Sequence, residues 1–260
     1  MSRKGGCFLK KLLRGLGAAV FWLAVWLLLA RLAGSPLLLP SPLAVLGRLG
    51  QLVTRLPFWG TVGVTLLRIL CGTAAGILLG VLTALLTSFS PAADALLRPL
   101  LTVVKTTPVA SFIILLLLWV GRDILPAVIV VLMVLPVTWA NVCAGIAALD
   151  PQLREMGKVY GFSPLRAFRR LWLPTVLPHF LSACRSALGL GWKAGVAAEV
   201  LTVPRRSIGR MLYESKLNLE TADLFAWTVT VILCSLVIEK LLAAGLGLLT
   251  PRRDRKGDGK

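Results

Sequence analysis

The chain has 260 residues, 57% of them hydrophobic and 15% charged, with a formal net charge of +18 and a mean hydropathy of +0.84. A soluble domain is about 45–50% apolar and about a quarter charged, so this composition excludes an ordinary soluble enzyme and reads as an integral membrane protein surrounded by lipid. The excess of bases does not read as nucleic-acid binding, because Lys and Arg cluster beside apolar runs and no recognition motif accompanies them.

Residues 1–14 form a basic amino terminus with Arg3, Lys4, Lys10, Lys11 and Arg14, and an apolar run follows from Gly15 to Ala33. About 20 apolar residues cross a bilayer, and Trp22 and Trp26 suit a retained first span. Ala30-Arg31-Leu32-Ala33 leaves a cleaved signal peptide as the alternative. Ser41-Pro42 joins a capping hydroxyl to a first-turn proline, and Leu43, Leu46 and Leu49 follow at three-residue steps, which predicts an amphipathic helix in the outer interface. Thr61–Phe89 is the second span. Its Gly72, Gly76 and Gly80 recur every four residues, a stripe that lets a neighbouring helix approach closely. The third span, Leu100–Val120, contains Lys105 and Pro108, and that proline is expected to kink or break it. Arg122-Asp123 is a minimal turn before the fourth span, Ile124–Leu149.

The next stretch, residues 150–174, is a charged interruption: DPQLREMGKVYGFSPLRAFRRLWLP. Asp150-Pro151 and Ser163-Pro164 each place a capping oxygen before a first-turn proline, so two short helices are expected, separated at Gly161. Leu153, Met156 and Tyr160 give the first an apolar side, and Leu165, Phe168 and Leu171 or Trp172 give the second one. Arg154, Lys158, Arg166, Arg169 and Arg170 face only Glu155, a bias that holds such a segment on the cytoplasmic side.

These residues resemble the cytoplasmic loop of the integral membrane subunits of bacterial ATP-driven (ABC) importers, whose pattern is EAA, three residues, Gly, nine residues, Ile-x-Leu-Pro. Glu155-Met156-Gly157 stands at EAA, Gly161 at the glycine and Leu171-Trp172-Leu173-Pro174 at the end, with both gaps kept. Met156 and Gly157 replace two alanines, and Leu171 replaces isoleucine. SPLAVLGRL from Ser41, TLLRILCG from Thr65 and TTPVASFIILLLLWVG from Thr106 are similar to the nitrate, sulfonate and taurine branch of that family. The resemblance implies an all-α, six-span type I (MetI-like) permease fold in the bacterial plasma (inner) membrane. It implies a coupling role for Glu155, Met156, Gly157, Tyr160, Gly161, Phe162, Ser163, Pro164, Leu173 and Pro174. The implied partners are a separate ATPase subunit, which would hold ATP and Mg, an extracytoplasmic substrate-binding protein, and a second permease subunit, expected as a homodimer.

The fifth span runs from Pro178 to about Val203, a polar outer segment covers residues 204–223, and Leu224–Leu249 is the sixth span. Together, residues 15–249 are expected to form one membrane domain. The tail, 250–260, carries Arg252, Arg253, Arg255, Lys256 and Lys260. Bases concentrate at the amino terminus, at Arg98 with Lys105, in the loop and in the tail, which places both termini in the cytoplasm. Within the fifth span, Arg185 and Lys193 lie about 80° apart on a helix, and Trp192 and Glu199 are nearby. This basic pair either lines a pathway for an anionic solute or snorkels and pairs with acids on neighbouring helices.

Chemistry of other kinds has little to work with. The five cysteines are scattered singly, His179 is the one histidine, and G-x-x-x-x-G-K-[ST] is absent. No catalytic residue, metal site or cofactor bound by this chain is expected. Two other functions stay open: an ion-coupled secondary transporter, which calls for intramembrane carboxylates in matching halves, and a membrane scaffold that holds a cytosolic partner without transport.

Overall fold

Hydrocarbon offers no hydrogen bonds, so a spanning backbone must satisfy its own, and a helix does so within one segment. The computed structural model describes the backbone of residues 3–249 and the side chains of 17–245. The basic side chains from Arg3 to Arg14 and the tail 250–260 lie outside the described residues. The described elements are all helical: α1 (Arg3–Leu32), α2 (Pro42–Val53), α3 (Leu56–Phe89), α4 (Pro91–Thr106), α5 (Val109–Leu116), α6 (Leu125–Ala147), α7 (Pro151–Val159), α8 (Pro164–Ala167), α9 (Leu173–Thr202), α10 (Ile208–Leu217) and α11 (Thr221–Leu249).

The centre of the bundle is α3, α6 and α9. A Cβ built on Gly72, Gly76 and Gly80 would lie 3.0, 2.8 and 2.7 Å from the Cβ atoms of Val130, Val134 and Thr138. The glycine stripe is therefore a packing seam, and only bare backbone fits there. Because the two series ascend together, α3 and α6 are parallel. In α9 the order is reversed: His179 meets Gly145, whereas Gly191 and Gly195 meet Val130. α9 is thus antiparallel to both.

Parallel α3 and α6 require the chain between Phe89 and Leu125 to return along the whole bundle. α4 and α5 make that return, bent by 104° at Thr107-Pro108. Pro108 donates no amide and holds Thr107 extended, at φ −77 and ψ 134, so the helix breaks where the sequence predicts. The single third span expected over Leu100–Val120 is corrected to this bent pair, whose second arm has 8 residues and is too short to cross alone. By length and apolarity α3, α6 and α11 can each cross a bilayer, and the bent pair brings the number to four of the six spans drawn from the sequence. α9 has 30 residues but carries Arg185, Lys193 and Glu199, and the apolar part of α1, Gly17–Leu32, is shorter.

The start of α9 differs from expectation, and α2 buries a side that its leucine spacing does not announce. α9 begins at Leu173, with Pro178 inside it. The helix reaches it through a π-turn, Phe168–Trp172, in which Leu173 N–H donates to Phe168 O. The wider turn accommodates Pro174, which has no amide and would crowd an ordinary α-turn. In α2 the Ser41 cap forms, its Oγ accepting from Ala44 N at 3.3 Å. Its buried side, however, is Val45, Leu49 and Leu52, packed on the main core. Leu43 and Leu46 face outward, as suits a helix lying against lipid. Arg48 fixes α2 to α11 through a two-pronged ion pair with Asp223.

Candidate functional site

The loop between α6 and α9 is built as its caps dictate. Asp150 Oδ1 accepts from Gln152 N at 2.8 Å, and Ser163 Oγ accepts from Arg166 N at 3.4 Å. At the end of α7, Phe162 N–H donates to Gly157 O at 2.9 Å and Gly161 N–H to Lys158 O at 3.1 Å. These are the paired bonds of a Schellman cap, which needs a left-handed residue just beyond the helix. Gly161 fills that position with φ +61, where a side chain would be strained.

Gly157 is the one buried residue of α7. A Cβ there would lie 3.0 Å from Leu171 Cδ1 and 3.7 Å from the Phe162 ring. Two of the three departures from the importer pattern, Gly157 for alanine and Leu171 for isoleucine, thus lie against each other. The longer leucine occupies space that an alanine methyl would take. Around this small internal contact the rest of the loop is open: Val159 is 84% exposed, Tyr160 71%, and Leu153 and Met156 42% each. Glu155, Ser163 and Pro164 are exposed as well, and Leu173 and Pro174 begin α9. This apolar side, at spacings of three and four, joins no core cluster among the described residues.

The residues singled out in α9 separate into two groups. Arg185 and Lys193 are exposed and make no ion pair with any described residue. They share the outward strip of the helix; the acid partners expected from neighbouring helices are not found among the described residues. Trp192 and Glu199 lie inside and contribute no open surface in this conformation. Trp192 packs in the main core with Phe58 and Trp227.

Glu199 is fully buried and holds three elements together. It pairs with Arg68 of α3, accepts from Thr65 Oγ1 at 2.9 Å and accepts from Gly209 N of α10 at 3.3 Å. Thr65 Oγ1 in turn accepts from Ile208 N at 3.0 Å. A Cβ at Gly209 would come within 2.4 Å of Glu199, so bare backbone is required there. Sequence reading missed this cluster, and it left α10 within an undivided polar segment. The available signals were Ser207, which caps α10 by accepting from Arg210 N at 3.0 Å, and one lone base and one lone acid in separate apolar spans. Arg68 stands about 31 Å from Phe89 along α3 at 1.5 Å per residue, close to the thickness of a hydrocarbon core. The cluster and the loop therefore occupy opposite ends of the bundle.

An all-helical bundle of apolar spans, with a capped, exposed loop at one end, defines a polytopic membrane protein. Comparison with known proteins narrows this. The family described as "Binding-protein-dependent transport system inner membrane component" matches residues 76–255. The chain belongs to that family, the membrane-spanning permease subunits of ABC importers. It is 33% identical over 187 residues to the formylaminopyrimidine transport permease protein ThiX of Halalkalibacterium halodurans, covering 70% of this chain and 74% of the relative. It is 26% identical over 244 residues to the taurine transport system permease protein TauC of Escherichia coli, covering 91% and 88%. Among solved structures, the MetNI methionine ABC transporter in its inward facing conformations aligns with a TM-score of 0.49 and 17% identity, over 72% of this chain and 93% of that one.

Proposed function

We propose that this permease carries a small anionic solute, handed over by an extracytoplasmic binding protein, and that residues 150–174 receive the stroke of a separate ATPase subunit that holds ATP and Mg. Six crossings, with both termini in the cytoplasm, put this loop on the cytoplasmic side of the inner membrane. Two copies of the chain form the path, and the Arg185–Lys193 strip of each faces it, since unpaired charges on a spanning helix avoid lipid. Transport is alternation between two access states, biased by what binds above and below. The covalent chemistry belongs to the ATPase.

The observation that carries this reading is the exposed apolar side of α7, rigidly presented by the Asp150 cap and the Gly161 turn. Reconstitution with the binding protein and the ATPase tests it. Met156→Ala with Tyr160→Ala should abolish substrate-stimulated ATP hydrolysis and uptake while the chain still reaches the membrane in normal amounts. Stimulated hydrolysis at the native rate would contradict the reading.

A further inference from the structure

We infer that the basic recess beside the π-turn is a binding site for the phosphodiester headgroup of an anionic phospholipid. Ser163, Leu165, Arg166, Arg169 and Arg170 line an open recess of about 550 Å³. None of its three arginines forms an ion pair with a described residue, although Arg166 is held over the Phe162 ring with its guanidinium 6.0 Å from the centroid. Three guanidinium groups around one cavity repel one another unless an anion joins them, and the planar donor fork of arginine matches phosphate oxygens two at a time.

The depth of the recess selects the source of that phosphate. Trp172 and Phe89 pack with ring centroids 6.1 Å apart, and Phe89 is the last residue of the apolar helix α3. Aromatic side chains at the end of a span mark the boundary between hydrocarbon and water. Arg169 and Arg170 precede Trp172 by two or three residues, about 3–5 Å along a helix, which places their charges at headgroup level. Leu165 and Phe168 are more than half exposed beside them, a surface that acyl chains can cover. Basic pockets at the ends of spans bind anionic headgroups by this combination. The inference rests on the proposed position of the loop at the inner face, and it adds a ligand that the coupling role does not require. A lipid held there would brace the joint between α8 and α9, through which any push on α7 must pass.

The test uses the full chain with its partner subunits in nanodiscs of phosphatidylcholine, with and without one part in five of phosphatidylglycerol carrying a photoreactive headgroup. Labelling should concentrate on the peptide from Ser163 to Leu173, and the phosphatidylcholine analogue should leave it unlabelled. Each arginine near a charged surface contributes about fivefold in affinity, so Arg166→Gln, Arg169→Gln and Arg170→Gln together should lower labelling more than tenfold, with the three Lys variants retaining more. The Lys variants keep the test valid if the Gln triple fails to accumulate. Equal labelling by both lipids overturns the inference. Complete competition by millimolar inorganic phosphate overturns the lipid source. Unchanged lipid labelling in a Gln triple that no longer retains its ATPase makes the recess a protein contact and also overturns it. Failure of the coupling reading looks different, since lipid labelling would persist while Met156→Ala with Tyr160→Ala left ATP hydrolysis untouched.

Discussion

Replacing Arg68 by Gln removes one half of a pair whose other half cannot leave the interior. The Glu199 carboxylate is fully buried and would keep two neutral donors, Thr65 Oγ1 at 2.9 Å and Gly209 N at 3.3 Å. Stranding a buried charge in this way costs about 3–5 kcal/mol. Glu199→Gln is not symmetrical with it. The amide oxygen still accepts from Thr65 and Gly209, and the Arg68 side chain, 12% exposed, can turn its head toward the nearby interface; about 1.5–3 kcal/mol is expected, the scale of one charged hydrogen bond. The double substitution leaves no charge to strand and should be milder than Arg68→Gln alone. Thermal unfolding of the purified chain in detergent, followed by tryptophan fluorescence, reads all three. On the order of 10 °C separates Arg68→Gln from the native chain at 2–4 °C per kcal/mol. If Arg68→Gln is no worse than Glu199→Gln, or the double variant is the worst of the three, the carboxylate is not the stranded group and the argument fails.

Other outcomes follow from the same geometry. Gly195→Ala forces a Cβ to 2.7 Å from Ile69 Cγ1 and 2.9 Å from Val130 Cγ2; overpacking of this kind costs about 1–3 kcal/mol and should appear as a lower unfolding temperature. Gly157→Ala crowds Leu171 Cδ1, whereas Gly157→Ala combined with Leu171→Ile restores the importer residues at these two positions, so the pair should be non-additive, with stimulated ATP hydrolysis recovering in the double variant. Asp150→Ala removes the α7 cap, at about 1 kcal/mol, and should raise amide hydrogen exchange in residues 151–159 while α6 stays protected. Lys193→Gln should lower uptake with normal assembly of the complex; full uptake would show that the exposed strip of α9 does not meet the solute.

What could be read from the chain was whatever depends on neighbours in sequence. The caps at Asp150 and Ser163, the left-handed glycine at 161, the break at Pro108 and the four-residue glycine period in α3 are local, and each is where periodicity and turn chemistry place it. The ion pair between Arg68 and Glu199 joins positions 131 residues apart, and no spacing rule reports such a partner. The protein-facing side of α2, Val45 with Leu52, went unread for a related reason: leucines at three-residue steps announce an apolar side but cannot say whether lipid or protein covers it. The start of α9 was set at Pro178 because that proline reads as a first-turn residue, whereas a π-turn carries the helix through Pro174 and on past Pro178. In the candidate site the loop was legible and the spanning charges were not, since burial and exposure of Glu199, Lys193 and Trp192 depend on which side of α9 meets α3 and α6.

A photoreactive amino acid in place of Tyr160, irradiated in intact cells, tests the central claim most directly. The account predicts one dominant adduct with a nucleotide-hydrolysing subunit, weakened when the complex is locked by nucleotide or by substrate. Adducts with extracytoplasmic proteins alone, or labelling of that position by an impermeant reagent added outside, would place the loop on the wrong side of the membrane and end the account.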